Sequence, residues 1–510
     1  MKLDSSALTT NIWYYLCLVI FSVAAASFIF SFTTSYFDPA YLVELRSAAS
    51  LFTILALGQT INPYASGALE QSANLYSVVW PIIIYIFGDI FHSSNIYEYR
   101  HIAFMFNYII VGATSLLCIY TCIRIGFDLL AAVVIGMTVV LLNTARISMG
   151  EWGYSSGLCL SIISLILAVN GTRSIHFFIS LMLITIASLF KVYFLLFSII
   201  VISMIYCRLA FSYRSIAVTA AWGVASLLAY AVLMALFPYL FDMVIAAHRG
   251  FISFDSQHIF PQLVKFLILF GFSFILMFKG LADTWEGGFL QSRCFVVYSL
   301  SSVLFGVCVV RMLGHIGNDT TYLVHLVGPI IVSLSMRRRQ SGQGGSDWFA
   351  SMAGAIALTA TLFQPWSTYG VLNSSALNEN RRTLALVNEI IASNDGAKFY
   401  LEFGLAPIAA NWGLEYVDTG NREYIHKYMA DRAAGAFNAR YEILLGPRRP
   451  PVAESPLQVM GASDLVICSV QCSLLADGFT LVKEIGQLHF AWGQNERVSL
   501  FRRVSLGARK

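Results

Sequence analysis

The sequence predicts a polytopic α-helical membrane protein with about eleven transmembrane helices, interfacial helices in a large first extracytoplasmic loop, and a small C-terminal α/β soluble domain. Three observations lead there. Hydrophobic residues make up 57% of the 510 positions and charged ones only 12%, about half the charge of an ordinary soluble domain. Apolar runs of spanning length recur as far as residue 366, separated by short polar breaks. From Gln364-Pro365 onward the composition returns to that of a soluble domain.

The first run, 12–32, supplies about the twenty apolar residues that a helix needs to cross the hydrocarbon. Ala24-Ala25-Ala26 imitates a signal cleavage site, but the run continues past it and Asp4 stands beside Lys2, so it reads as an uncleaved anchor. The next segment, 35–99, has mixed character: an amphipathic stretch 42–57, a turn at Asn62-Pro63, and an apolar run Val78–Phe87 too short to span. Helices lying in the interface account for it. Further spans are expected near 101–121, 127–143, 154–170, 174–190, 192–207, 215–237, 260–279, 294–314, 320–336 and 347–366. Only Lys191 interrupts 174–207, which predicts two short helices meeting there. In the tail, a helix near 378–393 precedes candidate strands at 398–403, 464–468, 480–484 and 498–503. The domains are therefore 1–366, a membrane module, and 367–510, an extracytoplasmic α/β domain. No inverted half-repeat of the kind common in secondary transporters is visible.

An odd number of spans puts the termini on opposite sides, and basic loops mark the cytoplasm. With the N-terminus cytoplasmic, Arg124, Arg173, Arg208, Arg214, Lys279, Arg293 and Arg337-Arg338-Arg339 face inward and the tail domain faces outward. That is the inner or plasma membrane, with the tail extracytoplasmic, in the periplasm if the cell is Gram-negative. The outer face then carries acids and bases together: Asp38, Glu44, Glu70, Arg146, Glu151, Lys191, His248, Arg249, Asp255, His315 and Asp319.

Several function classes recede. A net charge of +4 from 32 basic and 28 acidic residues leaves no basic stripe for nucleic acid. Cys17, Cys118, Cys122, Cys159, Cys207, Cys294 and Cys308 lie in or beside apolar runs, where a thiol is a small hydrophobe, so no disulfide scaffold is expected. Cys468 and Cys472 fall in polar sequence without companion ligands for a metal. Ion-coupled transporters place acids at membrane depth, and these runs hold almost none.

A carboxylate at the membrane surface beside several cations suits transfer from a lipid-phosphate donor: a base takes the acceptor proton while cations stabilise the departing phosphate. Asp38 follows the first span directly, in Ser35-Tyr36-Phe37-Asp38-Pro39. It is the candidate base, although Asp before Pro is also a common helix cap. Lys191 suits a phosphate, or equally a snorkel to the headgroups. Arg146 and Glu151 flank a tight loop and could serve a substrate or pair with one another. Glu70 reads as a second site carboxylate or a solvated acid, and Arg249 as a binder of phosphate or headgroups. His248 and His315 lack companions at metal spacing. No motif demands a cofactor, and the pattern leaves room for a divalent cation.

The segments Gly58-Gln59-Thr60-Ile61-Asn62-Pro63-Tyr64, Ser72-Ala73-Asn74-Leu75-Tyr76 and Trp80-Pro81, placed after an acid at the end of the first span, resemble the first extracytoplasmic loop of the polytopic GT-C glycosyltransferases. That superfold includes the lipid A aminoarabinose and protein O-mannosyl transferases. Ser188-Leu189-Phe190-Lys191 is similar to the lysine-bearing junction of those enzymes, and Asn318-Asp319-Thr320-Thr321-Tyr322 stands where many members carry a polar residue and Tyr before a late span. The paired Asp-Glu of several members is absent: Asp38 is followed by Pro39, and the next acid is Glu44. The resemblance implies an inverting transfer of a sugar from a polyprenyl-phosphate to an envelope glycan or glycolipid, with Asp38 as base and the donor phosphate near Lys191. Glu44, Tyr64, Glu70, Tyr76, Arg146, Glu151, Arg249, Asp319 and Tyr322 are then the expected substrate-binding residues. A polymerase or ligase of lipid-linked oligosaccharides, and a transporter or flippase of such intermediates, are the alternatives. The first would more often place its large loop between late spans; the second would line a path through both leaflets with polar groups.

Overall fold

A computed structural model of the chain describes residues 78–125, 129–148, 152–209, 211–237, 373–402, 456–469, 478–490 and 495–504, with isolated positions such as Asp38, Ala40, Ile54, Phe305 and Cys472. Apart from a few isolated positions, the expected spans near 12–32, 260–279, 294–314, 320–336 and 347–366 lie outside these residues.

The membrane module contributes α1 (Val79–Ile90), α2 (Ile96–Ile125), α3 (Leu129–Ser148), α4 (Trp152–Asn170), α5 (Ser174–Phe190), a 3-10 turn (Val192–Leu196), α6 (Phe197–Leu209) and α7 (Tyr213–Leu236). Among the described residues, 97–124, 192–209 and 213–236 are long and apolar enough to cross a membrane, and 79–90, 153–168 and 174–190 form shorter apolar helices. The chain is a membrane protein.

Helix starts follow caps more closely than hydropathy. The α2 helix begins ahead of its expected apolar run because the Asn95 side chain accepts the backbone N–H groups of Tyr97 (3.0 Å) and Glu98 (3.1 Å), which satisfies two otherwise orphaned donors. Its polar first turn, Glu98 to Arg100, therefore belongs to the helix. The α1 helix forms on the short apolar run Val78–Phe87. Its Trp80, Pro81, Ile84 and Gly88 are buried, whereas Ile86, Phe87 and Ile90 are exposed, so one face packs on the protein and an apolar face is left open. At Gly88 the α2 helix approaches so closely that a Cβ would lie 2.0 Å from the Tyr99 ring.

The core of the bundle runs through Tyr154, Leu158, Phe177, Ile184, Phe194, Phe197 and Val201. Its hydroxyls and amides are tied across helices. Ser156 donates to Asn107 (2.8 Å) and Ser155 to Asn143 (2.9 Å); Ser180 donates to the Ser164 carbonyl (2.6 Å); Trp222 and Tyr230 of α7 donate to Thr185 and Ser188 of α5, each at 2.8 Å. In hydrocarbon, polar groups must be satisfied internally, and small residues let helices approach for that purpose. The outer side of α7, with Val224, Leu227, Leu228 and Val232, is apolar and exposed.

Among the described residues the tail combines helix and sheet. Helix α8 (Ser374–Ala392) starts earlier than its periodicity suggests because Asn373 caps it, accepting Ala376 N–H at 2.8 Å. It turns Asn380, Thr383, Leu384, Val387 and Ile391 inward at helical spacing. Strands β1 (Phe399–Leu401), β2 (Tyr416–Val417), β3 (Leu465–Cys468), β4 (Phe479–His489) and β5 (Asn495–Arg503), with the short helix α9 (Pro456–Ala462) before β3, form a sheet of order β2-β1-β3-β5-β4. The first three strands in that order are parallel, whereas β5 and β4 join as an antiparallel pair. The four expected strands are present, and β4 is longer than its apolar stretch; β2 adds a fifth that its two residues could not signal. Cys468 and Cys472 form a disulfide with Cα atoms 5.4 Å apart. This corrects the reading of the cysteines: one local cross-link, in the tail domain, accompanies the buried free thiols of α2 and α4.

Candidate active site

Asp38 lies where three parts of the chain meet. One carboxylate oxygen, Oδ1, accepts Ala40 N–H at 3.0 Å, the short-range contact of an Asx cap. The other, Oδ2, pairs with the Arg381 guanidinium of α8. Its backbone carbonyl accepts Arg100 Nη2 of α2 at 2.7 Å. The side chain of Asp38 is only 10% exposed, against 57% for Arg381. The capping and site readings of Asp38 are compatible, because the cap uses one oxygen and leaves the other for an external partner.

Ala40 anchors the same segment. It is 1% exposed and sits within the apolar core of the tail domain, with Leu384, Val387, Leu488 and Phe490. Its carbonyl accepts Asn380 Nδ2 at 2.9 Å, and the same amide holds the end of β4 through His489 O (2.9 Å) and His489 N (2.7 Å). Asn380 thus makes three hydrogen bonds while fully buried, as a buried amide must. One turn earlier on α8, Leu377 packs against the cluster of Ile54, Trp80, Ile84 and Tyr99 in the membrane module.

Lys191 lies at the break between α5 and the 3-10 turn, with extended backbone (φ −150°, ψ 123°). The two short helices expected to meet there do so. Its ammonium stands 5.3 Å from the Tyr154 ring centroid and 5.7 Å from that of Tyr193, within the range of cation–π attraction. The turn is held down by Phe194, whose ring covers Gly157 of α4 so closely that a Cβ there would lie 2.4 Å away. The extended backbone break and the ring-flanked cation arise from the same packing.

Of the other candidates, Arg146 falls in the last turn of α3 by its backbone. Glu44, Tyr64, Glu70, Tyr76, Glu151, His248, Arg249, Asp255, His315, Asp319 and Tyr322 lie outside the described residues. Among the described residues no group of three or more His, Cys, Asp or Glu could hold a metal ion. His489 instead pairs with Glu379 (2.8 Å) and Asn495 (2.7 Å). Arg381 and Asn380 escaped the reading of the sequence, because separations of 343 and 340 residues from Asp38 and Ala40 leave no local signal. Arg100 enters the site through the fold, by its hydrogen bond to the Asp38 carbonyl.

A bundle of apolar helices holds the Asp38 carbonyl through Arg100, and the terminal α/β unit holds its carboxylate through Arg381; the GT-C fold of this membrane protein shows in its likeness to solved structures. Among solved structures, ArnT from Cupriavidus metallidurans bound to undecaprenyl phosphate is similar along the whole length, at TM-score 0.53 and 10% identity, covering 96% of this chain and 99% of that one. The same protein in the apo state gives TM-score 0.50 and 12% identity over 97% and 98%. Neither a family model nor a curated protein matches the sequence.

Proposed function

We propose that this protein is an integral-membrane glycosyltransferase that moves a sugar from a polyprenyl-phosphate donor to an envelope glycan or glycolipid on the extracytoplasmic face. The observation that carries the reading is the end-to-end likeness in fold to a protein solved with undecaprenyl phosphate bound. In the proposed reaction Asp38 accepts the proton of the acceptor hydroxyl as that oxygen attacks the anomeric carbon. The bond from that carbon to the phosphate oxygen breaks, its electron pair leaves with the polyprenyl phosphate, and the anomeric configuration inverts. Lys191 stabilises the departing phosphate, where low dielectric at headgroup depth raises the value of a single cation. Glu44, Tyr64, Glu70, Tyr76, Arg146, Glu151, Arg249, Asp319 and Tyr322 are assigned to donor and acceptor binding. The disulfide Cys468–Cys472 supports an extracytoplasmic tail, because such bonds persist in oxidising compartments. The N-terminus is then cytoplasmic.

The test is transfer by protein reconstituted in vesicles with a panel of labelled undecaprenyl-phosphate sugars and a membrane extract as acceptor, run beside the corresponding nucleotide sugars. Transfer from a lipid donor alone is expected. Transfer from a nucleotide donor without polyprenyl phosphate would overturn the proposal.

A further inference from the structure

Asp38 and Ala40 are held by groups from both halves of the molecule. The membrane module supplies Arg100 Nη2 to the Asp38 carbonyl (2.7 Å), and the tail domain supplies Asn380 to the Ala40 carbonyl (2.9 Å) and Arg381 to the Asp38 carboxylate. Ala40 itself is a buried member of the tail domain's core. We infer that the first turns of α8 form a positioning clamp for the catalytic base, and that Arg381 is the positioning residue that acts on the carboxylate itself. This rests on Asp38 being the base. The soluble domain is then part of the catalytic unit rather than an appended module.

A carboxylate at the end of a flexible loop would sample several orientations, and a base must hold its oxygen within hydrogen-bond reach of the acceptor hydroxyl. The Ala40 N–H fixes Oδ1 and Arg381 fixes Oδ2, so rotation of the carboxylate plane is stopped at both ends. Arg381 is itself aimed: Nη1 donates to Asn378 Oδ1 at 2.7 Å, one turn back on α8, while Nη2 reaches Asp38. Helix α8 in turn is fixed by Asn380 and by Thr383, whose hydroxyl donates to Gln487 O at 3.0 Å. The Arg381 side chain is mostly exposed, so the carboxylate it holds lies open to an entering substrate on that side, whereas the buried Asn380 stays with the fold.

The inference is tested on the full chain in vesicles, with R381A, R381K, D38N and R382A compared in transfer from whichever undecaprenyl-phosphate sugar of the panel the wild type uses. Loss of the clamp in R381A should lower kcat about 10- to 100-fold with donor and acceptor KM nearly unchanged, the cost of a misplaced catalytic group. Lysine should restore most of it, because the contact to Asp38 uses a single nitrogen. Guanidinium ion at a non-denaturing concentration should partly rescue R381A and do nothing for D38N. Arg382, exposed on the same turn, serves as the control and should be silent. As a second measurement, independent of turnover, carbodiimide coupling of an amine to Asp38, followed by peptide mass spectrometry, should rise several-fold in R381A. An R381A protein with wild-type kcat, or with unchanged labelling of Asp38, overturns the clamp. Full activity in D38N overturns the assignment of the base instead.

Discussion

Replacing Gly157 with Ala tests how Lys191 is held. A Cβ at 157 would lie 2.4, 2.7 and 3.2 Å from three atoms of the Phe194 ring. Ordinary contact begins near 3.4 Å, so the ring must retreat by roughly 1 Å, and in a close-packed interior it has nowhere to go. Phe194 is fully buried and lies against the rings of Tyr154 (5.4 Å), Tyr193 (5.0 Å) and Phe197 (6.3 Å). Overpacking of this kind costs about 1–3 kcal/mol. The helical preference of Ala over Gly returns roughly 0.5–1 kcal/mol, which leaves a net loss. Thermal unfolding in detergent, followed with a thiol-reactive dye, reads the exposure of the buried Cys118, Cys122 and Cys159. The G157A protein should melt several degrees below the wild type. Gly223, in α7 with nothing within 4 Å of its virtual Cβ, gives the opposite expectation: G223A should be equal or more stable. Because Phe194 and Lys191 share one short turn, G157A should also weaken donor use. Coincident melting of G157A and wild type would refute the close packing of the turn on α4.

Four further outcomes are expected. D38N should fold and insert normally, since an amide still caps Ala40 and the Arg381 side chain that loses its partner is 57% exposed and stays solvated, yet its kcat should fall about 100- to 10,000-fold; a fully active purified D38N would return Asp38 to a purely structural role. K191A should raise the donor KM by about 10-fold while leaving acceptor KM unchanged, and equal effects on both would move the phosphate site elsewhere. Reporter fusions after Gly342 and after Lys510 should report opposite sides of the membrane, and matching signals would break the expected span count. C472S should destabilise the tail domain by about 2 kcal/mol, the chain-entropy value for so short a loop, read as earlier proteolysis of the tail in C472S.

The helices legible in the sequence were those whose evidence is local. The break at Lys191 interrupts an apolar stretch too long for one helix, and the structure turns there. The inward stripe of α8 repeats at helical spacing, and the strands β3 and β5 are short apolar or alternating runs. Starts were less legible: Asn95 and Asn373 move helices α2 and α8 ahead of their expected starts through side-chain hydrogen bonds, which a hydropathy window does not register. The disulfide was missed for a different reason: two cysteines a turn apart become a bond only when the backbone after β3 folds back.

For the site, the sequence by itself supplied the expectation that acids and bases gather on the outer face, because the apolar runs set which residues stand at span ends and the positive-inside bias sets the expected side. It singled out Asp38 by its place after the first span and Lys191 by its place within an apolar run. Only the tertiary structure decided what Asp38 touches. Its ion pair joins residues 343 positions apart, and the alanine two residues on is buried in a core built from the far end of the chain. Local sequence carries caps, spans and periodicity; it does not encode which two distant surfaces become complementary, because that depends on how the whole bundle and the tail sheet bury their apolar faces against each other.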